Sequence, residues 1–111
     1  MKKLLQTLTE ALGPSGYEAE VREIVRNEIK PFADETRIDA LGNLIACKHP
    51  RKAAKNGRKI MVAVPLDEVG MVVSHVDRNG FVRFSPLGNV PRVYLPGSRV
   101  RFLKGTQGVI E

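Results

Sequence analysis

Apolar residues in the first thirty positions recur at helical spacing. Leu4, Leu5, Leu8, Ala11 and Leu12 share one face, with Lys, Gln, Thr and Glu between them, which predicts an amphipathic helix. Gly13-Pro14-Ser15-Gly16 stops it and turns the chain. Ser15 and Glu18 have the spacing of a capping box for a second helix. That helix carries Val21, Ile24, Val25 and Ile29 on one face. Glu18, Glu20 and Glu23 lie in its early turns, Lys30 at its end and Pro31 as its stop.

Beyond Pro31 the period shortens to that of strands. Residues 36–38 and 44–48 read as a hairpin around Ala40-Leu41-Gly42-Asn43. Residues 59–64, Lys-Ile-Met-Val-Ala-Val, are a near-continuous apolar run. Such a run predicts a central strand covered on both faces. Residues 69–76 and 81–84 flank Asp77-Arg78-Asn79-Gly80, where Asn-Gly signals a hairpin because both residues tolerate positive φ. A Pro/Gly-rich loop over 85–97 leads to strands at 99–103 and 107–110, joined at Lys104-Gly105.

Two zones follow. Residues 1–68 read as helix, helix and strands at the edge of an α/β layer. Residues 69–111 read as short antiparallel strands of a small barrel or sandwich. The expected class is therefore mixed α/β (α+β), with a partial β-barrel second. The last strand runs into the C-terminus without a polar tail, and four barrel strands would leave edges exposed. This predicts a chain that is part of a larger architecture. Apolar Val72, Val82, Phe84, Val100 and Phe102 would need cover, so a homo-oligomer or a partner β-strand at the open barrel edge is expected.

Composition adds two points. There are four Phe, two Tyr and no Trp among 111 residues, so any core must be Leu, Ile and Val. The formal net charge of +6 resides in one run, because residues 48–59 hold six bases (Lys48, Arg51, Lys52, Lys55, Arg58 and Lys59) and no acid. A basic nucleic-acid binder would use that run on phosphates. A solvated loop between two strands is the preferred reading, and no aromatic residue interleaves the run for base stacking, so nucleic acid is not the favoured partner. Cys47 stands alone, which excludes an internal disulfide and fits a cytoplasmic chain with a buried, inert thiol. Residues 1–12 have no uninterrupted apolar stretch of signal-peptide type, and no apolar run reaches membrane-spanning length.

The chemistry-bearing candidates are few. His49 and His75 are the only histidines; a solvated loop residue and an exposed strand residue are their simplest readings. No set of His, Cys, Asp and Glu has the spacing of a complete zinc site. There is no P-loop and no GxGxxG. Pro65-Leu66-Asp67-Glu68-Val69-Gly70 follows the apolar run and places an acidic pair at a strand end.

Six stretches carry a family resemblance in order and register: Gly13-Pro14-Ser15-Gly16-Tyr17-Glu18, Asp39-Ala40-Leu41-Gly42-Asn43-Leu44, Asp67-Glu68-Val69-Gly70, Asn79-Gly80-Phe81, Gly97-x-Arg99-Val100 and Gly108-Val109-Ile110. Together they resemble the glutamyl-aminopeptidase/cellulase-M-like dinuclear metallopeptidases, whose members include tetrahedral dodecameric aminopeptidases and some proteins labelled endoglucanase. The resemblance spans essentially all 111 residues and implies the N-terminal part of much longer chains. It implies an α/β catalytic domain that binds two zinc or cobalt ions and removes N-terminal residues from peptides by metal-assisted hydrolysis. It also implies a β-barrel insertion used for dimerisation.

One position departs from the pattern. The family's metal-binding His falls at Pro65, which has no donor atom on its side chain and no backbone N–H. Asp67 matches the Asp that orients that His from outside the metal shell; a polar strand end is the alternative role for Asp67 and Glu68. The other ligands and the Glu general base correspond to positions past Glu111. The expectation is a truncated or degenerate member, inactive by itself and without a metal of its own. The alternative is a stand-alone β-edge interaction module or pseudo-enzyme subunit.

Overall fold

A computed structural model describes residues 1–52 and 57–111. The chain is mixed α/β, with two helices and antiparallel strands, as the sequence predicts. It divides into two units, residues 1–13 with 17–67 and residues 14–16 with 68–111.

In the first unit, α1 spans Lys2–Glu10 and α2 spans Ala19–Ile29. The predicted apolar faces are the partly covered ones. Leu4 and Leu8 on the first helix, Leu12 just past its end, and Val21, Ile24, Val25 and Ile29 on the second are all half-buried. Ala11 is buried at 6% exposure, whereas Leu5 at the stripe's margin stays exposed. The N-cap position differs from the one expected at Ser15. Glu18 is itself the N-cap residue and makes no side-chain cap bond. Gly16, at φ 88°, turns the chain ahead of α2. Gly13 faces α2 so closely that a Cβ there would lie 2.6 Å from Val21 Cγ2.

Strands β1 (Glu35–Ile38) and β2 (Leu44–Cys47) form the predicted hairpin, with Thr36 opposite Ala46 and Ile38 opposite Leu44. Arg22 fastens α2 to its turn, donating from Nη1 to the Gly42 carbonyl at 2.6 Å. Cys47, expected buried, is exposed, because it sits in the outer half of β2, where the strand leaves its half-buried stretch.

In the second unit, β3 (Gly70–Val76) pairs with β4 (Val82–Leu87), and β5 (Arg99–Arg101) with β6 (Gln107–Val109). A short 3-10 turn over Arg92–Tyr94 lies between them. The register of β3 shifts between Val73 and His75, a bulge at Ser74. Pro86 lies within β4, opposite Met71; its missing N–H is tolerated because β4 is an edge strand. Ile110, just past β6, is buried at 7%. The four strands make two separate two-stranded sheets, not one joined barrel wall.

All three hairpins close with the same turn. In each, residue i donates its N–H to the carbonyl of i+4, and i+3 donates back to i: Asp39 with Asn43 and Gly42, Asp77 with Phe81 and Gly80, Phe102 with Thr106 and Gly105. The i+3 residue is always glycine, at φ 88°, 89° and 90°. This is a type I turn followed by a left-handed bulge position. Asn79 does not adopt positive φ, so the Asn-Gly pair works through its glycine alone.

The largest departure from expectation lies at residues 59–64. They form no strand. Ile60, Met61, Val62 and Val64 are 87%, 89%, 83% and 78% exposed. An apolar strand of this kind needs a strand on each edge and a layer on each face. Among the described residues every strand is already committed to its own hairpin.

Candidate functional site

The acidic pair follows that bare segment. Pro65, Leu66 and Asp67 lie outside helix and strand, and β3 begins three residues after Asp67. Pro65 is exposed and Leu66 half-buried. Glu68 forms a parallel bridge with Pro14. Pro14 also packs over the start of β3, where a Cβ on Gly70 would come within 2.7 Å of it. The Gly-Pro-Ser-Gly turn and the Asp-Glu-Val-Gly run, far apart in sequence, are thus neighbours through Pro14, Glu68 and Gly70.

The metal that the family resemblance implies does not fit the residues present. Among the described residues no three His, Cys, Asp or Glu side chains converge as a metal would require. His75 lies exposed on β3 opposite Arg83. Asp77 is spent in its turn, where Oδ1 accepts from the N–H groups of Asn79 and Phe81, both at 2.9 Å.

His49 belongs to a polar cluster that sequence reading missed. Asp34 accepts from Lys48 Nζ at 2.8 Å and from the His49 N–H at 2.6 Å, and His49 Nε2 lies 3.0 Å from Glu35 Oε1. The Lys48 hydrogen bond, then that of the His49 N–H, holds the Asp34 carboxyl below its ordinary 3.8. The cluster clamps the open end of the β1–β2 hairpin. A signal was present in the spacing, since the register places Glu35 opposite Cys47 and so aligns Asp34 with Lys48. With an ammonium already seated on Asp34, the group has no vacancy for a metal cation. Lys48 is also removed from the basic run as a free phosphate contact; Arg51, Lys52, Arg58 and Lys59 are exposed, and Lys55 lies outside the described residues.

The second unit holds an open cleft of about 320 Å³ lined by Phe84, Pro86, Arg92, Leu95, Pro96 and Ile110. Of the residues singled out from the sequence it includes Phe84 and Ile110, and not Pro65, Asp67, Glu68 or either histidine. No helix is long and apolar enough to cross a membrane among the described residues.

Two helices followed by antiparallel hairpins, with Asp-Glu-Val-Gly leading into the third strand, make a mixed α/β segment. Residues 42–111 match the M42 glutamyl aminopeptidase family, and the chain belongs to that family. Lysyl aminopeptidase from Pyrococcus furiosus is 39% identical over 101 residues, 90% of this chain and 28% of that protein. The crystal structure of TET aminopeptidase from the marine sediment archaeon Thaumarchaeota archaeon SCGC AB-539-E09 superimposes with TM-score 0.83 at 37% identity, over 97% of this chain and 30% of that one. PhTET1-12s, solved as a dodecamer, matches with TM-score 0.75 at 32% identity, over 95% of this chain and 31% of that one. The chain spans about a third of the length of the relatives it matches.

Proposed function

We propose that residues 1–111 are a non-catalytic segment of M42 aminopeptidase architecture, providing scaffold rather than chemistry. The observation that carries this reading is Pro65. It stands where the family resemblance puts a metal-binding imidazole, and no alternative set of three donors converges among the described residues. Asp67 in this reading is the outer-shell Asp left without a His to orient. The activity of the whole architecture is metal-dependent removal of N-terminal residues from peptides, with zinc or cobalt held by residues not among these 111, in a cytoplasmic setting. By themselves residues 1–111 are inactive, as a truncated or degenerate copy would be.

A second role is favoured by a separate observation. In the second unit Val72, Val73, Val76 and Phe81 are exposed large apolar residues, and β3–β4 and β5–β6 are two-stranded sheets with open edges. These strands suit self-association or strand addition by a partner, as in a barrel-type dimerisation domain over residues 69–111.

The test is Pro65→His. Zinc titration followed by calorimetry should give no stoichiometric tight site in the variant, and leucyl- and glutamyl-nitroanilides should not turn over, because one restored ligand is not a set. Metal-dependent turnover by Pro65→His would refute the reading.

A further inference from the structure

We infer that Asn79-Gly80, in the β3–β4 turn, is a site of backbone modification. Asn79 cyclises onto the Gly80 nitrogen and hydrolyses to aspartate and isoaspartate, at a rate set by opening of the turn.

The turn geometry creates the site. All three hairpins place glycine at the left-handed position, and the residue before it is Leu41, Asn79 or Lys104. The β3–β4 turn alone puts asparagine there. Asparagine is a thermolabile residue, and crowding at the following nitrogen slows its cyclisation. Gly80 has no side chain to crowd that nitrogen, and even a Cβ built on it would meet nothing within 4 Å. Asn27, Asn43 and Asn89 precede Glu28, Leu44 and Val90, whose side chains hinder the attack. Asn43 is also held, because its Nδ2 donates to Asp39 Oδ2 at 2.9 Å. The Asn79 side chain has no hydrogen-bond partner among the described residues. Asn79 and Gly80 are both exposed, so water reaches them. Asn56 also precedes a glycine, but it lies outside the described residues and is no part of the inference.

The chemistry needs only water. The Gly80 nitrogen attacks Asn79 Cγ. The N–Cγ bond forms, the Cγ–Nδ2 bond breaks, and the Gly80 amide proton leaves with Nδ2 as ammonia. Water then opens the succinimide ring. Cleavage of the N–Cγ bond gives aspartate. Cleavage between the nitrogen and the backbone carbonyl carbon of Asn79 gives isoaspartate. The folded turn restrains the first step. The Gly80 N–H donates to the Asp77 carbonyl at 3.2 Å, so the proton that must leave is engaged. Asp77 Oδ1 holds the N–H groups on either side, those of Asn79 and Phe81, both at 2.9 Å. Cyclisation therefore waits for local opening. Isoaspartate routes the backbone through the side-chain carbon and lengthens it by one atom between residues 79 and 80. That spoils the closing bond from the Asp77 N–H to the Phe81 carbonyl, now 2.9 Å, and loosens the end of the hairpin. Aspartate leaves the backbone path unchanged.

The chain is aged in mildly alkaline buffer beside a synthetic peptide of residues 75–85. Conversion at each asparagine is followed by peptide mapping, with isoaspartate identified by electron-transfer fragmentation. Conversion at Asn79 should exceed that at Asn27, Asn43 and Asn89 at least tenfold. It should run roughly tenfold slower than in the peptide, as about one turn hydrogen bond would make it. Asp77→Ala should remove most of that difference, whereas Asp77→Asn, which keeps an acceptor oxygen, should stay near wild type. Amide protection of β5–β6 in the same samples shows that the second unit is folded. If Asp77→Ala loses that protection as well, the comparison of wild type and Asp77→Asn with the peptide decides. The isolated isoaspartyl form should lose amide protection at Asp77 at least tenfold, and Asn79→Asp should keep it. An unmodified Asn79 when the peptide is spent, conversion as fast as in the peptide, or equal loss of protection in Asn79→Asp overturns the inference.

Discussion

Asp39 and Asp77 illustrate how much one short side chain sets locally. Asp39 Oδ1 accepts from the N–H groups of Leu41 at 3.0 Å and Asn43 at 2.9 Å, while Oδ2 accepts from Asn43 Nδ2 at 2.9 Å. The Asn43 side-chain bond, then the backbone bonds, lowers the Asp39 carboxyl below its ordinary 3.8. A lowered carboxyl stabilises the folded turn fully above the ordinary value, and that contribution is lost as pH falls through the lowered one. The β1–β2 turn should therefore loosen only in acid below about pH 4, as read by amide exchange at Asn43. Asp39→Asn should keep most of the turn, since its amide oxygen still accepts, and Asp39→Ala should lose it. Gly80→Ala should weaken the β3–β4 hairpin by roughly 1–2 kcal/mol, the cost of a left-handed Cβ. Gly42→Ala should cost more, because its Cβ would also meet Arg22 Nη1 at 2.7 Å. Equal losses at the two glycines, compared by hairpin amide protection, would count against the Arg22 contact.

At the scale of elements, local chemistry was legible and long-range cover was not. The helix faces followed from the positions of Leu4, Leu8, Val21, Ile24, Val25 and Ile29, since the 3.6-residue period needs no knowledge of the partner. The hairpins followed from Leu-Gly-Asn, Asn-Gly and Lys-Gly, because a glycine at positive φ is a property of the turn itself. The shared turn type was not legible: Asn79 tolerates positive φ but is not required to adopt it. Residues 59–64 were expected as a covered central strand and form none, because an apolar run does not reveal whether strands elsewhere are there to pair with it. The α1–α2 connection offers a direct test. Gly13→Val should disturb the packing of α2 in the first unit, because a Cβ at 2.6 Å from Val21 cannot be accommodated without movement. Loss of helical circular dichroism signal relative to wild type should report it, and Gly13→Val combined with Val21→Ala should recover part of that signal.

For the whole molecule, the governing fact is that only Ala11 and Ile110 are buried hydrophobic residues among those described. So little core is small for a chain of this size. The family match accounts for this, since the relatives carry the same segment in about a third of their length. The candidate site was legible as a departure. Pro65 is visible in sequence because proline lacks a donor, whereas the failure of other carboxylates and imidazoles to converge needed the structure, which shows Asp77 engaged in its turn and Asp34 on Lys48.

The most direct measurement is metal content and aminopeptidase activity of the purified 111-residue chain, after dialysis with zinc or cobalt, on leucyl- and glutamyl-nitroanilides. The account predicts substoichiometric metal and no turnover above a metal-only control. One equivalent or more of bound metal accompanied by turnover would contradict it, and would mean that residues dismissed here, His75 and Asp67 among them, assemble a working site.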